Sequence, residues 1–225
     1  MFRFFRHPLI SLLFFLPAIA SAGVEIGGTR LIYDGSSKQA SISVSNPDDR
    51  PFLIQSWVNK QEDGDDNDTT FITTPPLFRL DPHSQNSVRV ALSQDRLPQD
   101  KESVYWLNIK SIPANSGHAT NELLIAVKTR MKLIYRPAGL QGDPTIAWQK
   151  LTFSRKNGTL FVSNPTPFSV SFYDLKVNGK EIKSVPMILP GQEVSLEPRA
   201  EAGMKIRWRA INDFGGITSE QEITL

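Results

Sequence analysis

Residues 121–144 read Asn121-Glu122-Leu123-Leu124-Ile125-Ala126-Val127-Lys128-Thr129-Arg130-Met131-Lys132-Leu133-Ile134-Tyr135-Arg136-Pro137-Ala138-Gly139-Leu140-Gln141-Gly142-Asp143-Pro144. The odd positions from Leu123 to Tyr135 are Leu, Ile, Val, Thr, Met, Leu and Tyr. The even ones are Leu124 and Ala126, then Lys128, Arg130, Lys132, Ile134 and Arg136. Successive side chains of a strand point to opposite faces, so this is a long strand, apolar on both faces at its start and basic on one face further on. Two arrangements suit that pattern. One is a central strand covered on both faces; the other is an edge strand that receives a partner's apolar surface by joining the partner's sheet. The run ends in Pro137 to Pro144, the densest cluster of chain breakers in the sequence. A domain boundary is expected there, with residues 23–138 before it and 139–225 after it.

Strand patterns continue in both directions from this point. Upstream lie Ile26 to Tyr33 before the turn pair Asp34-Gly35, Ala40 to Ser45 before Asn46-Pro47, Phe52 to Val58, Val88 to Leu92 and Val104 to Ile112. Downstream lie Leu151 to Phe153, Leu160 to Ser163, Ser169 to Val177, Gln192 to Leu196, Met204 to Ala210 and Glu220 to Leu225. Turn residues recur about every 8 to 12 positions, the spacing of a sandwich. No segment keeps a helical period over three turns. The expected class is all-β, two sandwiches in series.

At 225 residues the chain is long enough for two such domains. Its first 22 residues have the form of a secretory signal: Arg3 and Arg6, an apolar run from Leu9 to Ile19, then the small-x-small triplet Ala20-Ser21-Ala22. The apolar run is shorter than the roughly 20 residues that cross a bilayer. Export with cleavage of this segment is therefore expected. Lys and Arg then fall from 25 to 23 against 23 Asp and Glu, so the mature chain is neutral and bulk attraction to nucleic acid is not expected. With no cysteine, an exported fold cannot use disulfides and must rest on core packing.

Motifs that carry chemistry are few. Removal of the signal leaves two histidines, His83 and His118, both beside turn residues. Nothing resembles a Gly-x-Ser-x-Gly nucleophile elbow or a phosphate loop. The acidic segment Gln61 to Thr70, with Asp63, Asp65, Asp66 and Asp68, fits a calcium loop poorly, because Gly64 comes too early and no glutamate closes it. A solvated hairpin tip suits it better. No catalytic residue, metal site, cofactor or small-molecule substrate is expected.

Several segments together resemble the PapD-like periplasmic pilus chaperones. The central one is Leu97-Pro98-Gln99-Asp100-Lys101-Glu102-Ser103 running into Tyr105-Trp106-Leu107-Asn108-Ile109. Agreeing with it in order and spacing are Gly28-Thr29-Arg30 with Tyr33-Asp34-Gly35, Thr74-Pro75-Pro76 with Arg79-Leu80, Lys132 to Pro137, Asn164-Pro165-Thr166-Pro167 and Ile211-Asn212-Asp213-Phe214-Gly215-Gly216. The resemblance covers essentially the whole mature chain.

The resemblance implies two immunoglobulin-like β-sandwich domains set as an L with a cleft between them. It implies a periplasmic, non-enzymatic chaperone that lends the last strand of its first domain to pilin subunits lacking a strand, then delivers them to an outer-membrane usher for fimbria assembly. By family pattern the lent side chains are Leu123, Ile125 and Val127, and Arg30 with Lys132 anchors the pilin's C-terminal carboxylate. Glu102, Arg136 and Asp213 are implied to form a buried interdomain salt-bridge network. The short connection between Pro113 and Asn121 is similar to that of the short-loop branch of the family. An apolar strand left bare also opens a route to self-association.

Overall fold

A computed structural model describes residues 23–62, 64, 68–93, 96–115, 123–199 and 201–225. The expected signal segment, His118, and Asp63, Asp65 and Asp66 of the acidic tip lie outside the described residues. The first domain contains β1 (Glu25–Ile26), β2 (Arg30–Asp34), β3 (Ala40–Asn46), β4 (Phe52–Asn59), β5 (Phe71–Thr74), β6 (Leu77–Leu80), β7 (Ser84–Leu92), β8 (Ser103–Pro113) and β9 (Val127–Arg136). They form a sheet of order β1-β3-β7-β5 facing one of order β2-β9-β8-β4-β6. Alternation does the work: Ile42 and Val44 on β3, Ile54 and Val58 on β4, and Leu107 and Ile109 on β8 point into one shared core. Tyr33, Phe71, Tyr105 and Tyr135 close it with tilted and edge-on ring contacts.

The second domain opens with a short 3-10 helix, Pro144–Lys150, capped by the Asp143 carboxylate accepting from the Thr145 N–H. Then come β10 (Thr152–Lys156), β11 (Thr159–Ser163), β12 (Phe172–Val177), β13 (Lys180–Glu181), β14 (Glu193–Arg199), β15 (Lys205–Ala210) and β16 (Gln221–Thr224). A three-stranded sheet, β10-β11-β14, packs on a four-stranded one, β13-β12-β15-β16. Trp208 is fully buried at the centre, and its indole N–H donates to the Trp148 carbonyl at 3.0 Å. The architecture is two immunoglobulin-like sandwiches arranged as an L.

Three expectations need correction. The run Ile26 to Tyr33 is not one strand: β1 pairs with β3, whereas β2 crosses to the other sheet and pairs with β9. The crossing is made at Gly27-Gly28, where a Cβ on Gly27 would lie 2.0 Å from Ser43 Oγ. Strands β5 and β6 and the 3-10 helix were absent from the sequence pattern; each is short, and proline-bounded turns mask its period. Finally, the long strand begins at Val127, not Leu123. Ladder bonds from β8 reach only to the pair Ser111↔Val127, and an extended segment without a neighbour makes no ladder.

Candidate functional site

Strand β9 is paired differently along its length. From Val127 to Tyr135 it runs antiparallel to β8, and from Lys132 to Arg136 it also runs parallel to β2. Upstream of Lys132, no described strand pairs with β9 on the β2 side. The strand is thus central in one half and an edge in the other. Its odd face shows the same division. Met131, Leu133 and Tyr135 are buried in the first core, whereas Val127 is 54%, Ile125 64% and Leu123 82% exposed. These three flank a shallow groove whose other walls include Phe52, Pro113 and Ala114. A row of aliphatic side chains beside unpaired backbone is the kind of edge that proteins usually blunt or cover.

The free edge stops where β2 begins. Arg30, the first residue of β2, is the register partner of Lys132, and in a parallel ladder such partners point to the same face. Both are half-buried. Arg30 Nη1 donates to the Ile211 carbonyl of the second domain at 3.2 Å, while its buried Nε has no hydrogen-bond partner. Lys132 Nζ donates to Ser171 Oγ at 3.1 Å and lies 5.9 Å from the Trp106 ring centre. Burial lowers the pKa of Lys132, and the neighbouring Arg30 lowers it further against a smaller opposing pull from Glu62. Burial also lowers Arg30, with Asp213 acting the other way. Two cations held side by side against burial and mutual repulsion have the chemistry to suit an anion, such as a carboxylate taking charge-assisted hydrogen bonds.

Behind this pair the domains are joined by a chain of ions. Arg136, at the end of β9, donates Nε to Glu102 at 2.7 Å and both Nη groups to Asp213 at 2.8 and 3.1 Å. The other Glu102 oxygen accepts the Ser169 N–H at 2.6 Å. That loop is shaped by Asn164, whose amide donates to the carbonyls of Phe168 and Ile188. Burial pushes the Glu102 carboxyl above the usual glutamate range, against the hydrogen bond from Ser169 and the pull of Arg136. For Arg136, burial acts downward but is outweighed by its bonds to Asp213 and Glu102, so its pKa is raised. His83 sits apart from all this, exposed on a turn and 2.8 Å from Asp49.

The structure therefore brings Arg30 and Lys132 together, aligns Leu123, Ile125 and Val127 along one edge, and joins Glu102, Arg136 and Asp213. Sequence reading passed over Ser171, Ile211 and Trp106 as neighbours of the cations. Trp106 stood within a quoted motif, directly before the core residue Leu107, but nothing in the sequence pairs it with Lys132. Among the described residues no group of three or more His, Cys, Asp or Glu gathers as a metal site, and no helix is long and apolar enough to cross a membrane.

Comparison with known proteins covers both domains. Residues 23–141 match the family described as pili and flagellar-assembly chaperone, PapD N-terminal domain, and residues 146–222 match the pili assembly chaperone PapD, C-terminal domain. The chain is 44% identical over 208 residues to the probable fimbrial chaperone LpfB of Escherichia coli O157:H7, covering 90% of this chain and 89% of that one. It is 37% identical to the chaperone protein FimC of Escherichia coli K12, covering 88% and 83%. A chain from the solved complex of the Salmonella enterica SafA pilin with the SafB chaperone superposes with a TM-score of 0.81 at 33% identity, covering 92% and 99%.

Proposed function

The chain belongs to the PapD family of pili assembly chaperones, and on that premise we propose that the free half of β9 is what it lends to its clients. As a fimbrial chaperone it binds pilin subunits and passes them to an outer-membrane usher. The finer reading assigns residues 23–138 to client binding and residues 139–225 to the wall that completes the cleft. It places the mature protein in the periplasm after removal of residues 1–22, and has it work by binding alone, with no catalytic step and no cofactor.

The observation that carries this reading is the register Arg30↔Lys132 at the end of an unpaired edge. A client strand added to β9 upstream of Lys132, running parallel to it, heads toward the first residue of β2. Its C-terminal carboxylate then arrives between Arg30 and Lys132. Leu123, Ile125 and Val127 enter the gap in the client's sandwich, each worth up to about 1.5–3 kcal/mol when fully buried, before the cost of ordering residues 123–126. Main-chain ladder bonds bring affinity without demanding one client sequence, and the carboxylate fixes the register on which the side-chain match depends.

The test is co-purification of the tagged mature protein with pilins co-expressed from its own locus, for wild type, Arg30→Ala and Lys132→Ala. Both variants are expected to keep the wild-type melting temperature, or exceed it, because each removes a half-buried cation that burial disfavours. Neither is expected to yield a stable complex. Normal complexes from both would remove the anchor. In the absence of client the same edge gives the protein a route to pair with itself, detectable by sedimentation at high concentration.

A further inference from the structure

Within the motif Ile211 to Gly216, Phe214 belongs to neither the ion chain nor the cation pair. Phe214 is 97% exposed, more than any other large apolar side chain described. A lone exposed apolar residue is ordinary; the backbone that carries this one is not. Asn212 Oδ1 accepts the N–H groups of Phe214 at 3.0 Å and Gly216 at 2.8 Å. On one side of Phe214, both Asp213 oxygens are bound by Arg136 of the first domain. On the other, Gly215 has φ +84° and sits against Thr29 of the first domain, where a Cβ would lie 2.7 Å from Thr29 Oγ1. The turn is fixed on both sides of a ring that faces solvent.

We propose that Phe214 is a second contact for the pilin, an aromatic knob on the second domain that packs against an apolar side chain close to the client's C-terminal carboxylate. This rests on the carboxylate-anchor reading above. Position supports it: Thr29, against which Gly215 is seated, directly precedes Arg30. Phe214 and Arg30 also line one interdomain cavity of about 350 Å³, whose walls include Ile134, Trp148 and Phe168. Its mechanics support it too. An aromatic ring on a backbone that needs no further ordering offers contact area at low entropic cost, the usual property of an interface anchor. Continuity with the cations points to the pilin as the occupant.

The experiment measures recovery and dissociation of the co-expressed chaperone–pilin complex for wild type, Phe214→Ala and Phe214→Leu, and recovery alone for Arg30→Ala, with a thermal melt of each free chaperone. Phe214→Ala is expected to weaken the complex at least tenfold with an unchanged melt, and Phe214→Leu to recover part of the loss. The proposal is overturned if Phe214→Ala binds as wild type while Arg30→Ala does not, in which case the anchor still stands. Wild-type binding by both variants overturns the knob and the anchor together. A loss matched by a falling melting temperature overturns it in favour of a structural role. Normal pilin binding with blocked fimbria assembly also overturns it, and moves the ring to the usher.

Discussion

Replacing Arg136 by alanine tests the join between the domains most directly. The side chain of Glu102 is 1% exposed, and two charge-assisted bonds hold it, from Arg136 Nε and the Ser169 N–H. Arg136→Ala removes one and leaves a buried carboxylate with a single donor. Breaking a buried pair in this way costs about 3–5 kcal/mol. The bonds to Asp213 add less, because that side chain is one-third exposed and its charge is screened. The cost also depends on pH in a defined direction. Burial already sets Glu102 above the usual glutamate value of 4.5, so the folded state holds that proton more tightly than the unfolded chain. The associated stability is present below the unfolded value and is lost as pH rises through the folded one. Loss of Arg136 raises the folded value further and strengthens this dependence. Urea unfolding of Arg136→Ala is therefore expected to show a deficit of several kcal/mol near neutrality that shrinks toward pH 4.5. The double variant Arg136→Met, Glu102→Leu should regain much of it. A deficit below about 1 kcal/mol, or one equally large at both pH values, would refute the reasoning.

Other substitutions separate structure from recognition. Ile125→Asp changes an exposed side chain and should leave the melting curve within about 0.5 kcal/mol of wild type, while abolishing pilin complexes in the co-purification assay. Gly35→Ala should destabilise by about 1–3 kcal/mol, because its Cβ would meet backbone atoms of Arg136, Pro137 and Ala138 at 2.9–3.0 Å. Gly27→Ala, whose clash is with the rotatable Ser43 hydroxyl, should cost clearly less in the same denaturation series.

The fold was legible because most strands here are half-buried and alternate cleanly. Ile42 and Val44 on β3 and Ile54 and Val58 on β4 declare their core faces without help. The crossing between β1 and β2 was harder to see, since the apolar pattern runs through Gly27-Gly28 unbroken and only the two glycines mark the change of sheet. The start of β9 was not legible at all. Alternation at Leu123 and Ile125 is that of a strand, and what is missing is a neighbour, which no local pattern reports. For the site, the residues were named through resemblance to a family. What sequence could not supply was the pairing itself. Arg30 and Lys132 lie far apart in the chain and meet only because β2 joins β9 in parallel, and Ser171 reaches Lys132 from the other domain.

On the proposed carboxylate-anchor reading, the fixed offset between the cations and the apolar row would also make β9 a measuring device. Lys132 and Leu123 are nine positions apart, about 30 Å of extended chain. If the cations hold a terminal carboxylate, a pilin is read backwards from its last-made residue, and every apolar position is scored by its distance from that end. A subunit cut short by one residue would present the wrong face along the whole strand, a graver fault than any single substitution within it. Holding the end of the client first would thus let the chaperone distinguish finished subunits from unfinished ones, with the carboxylate serving as the mark of completed synthesis.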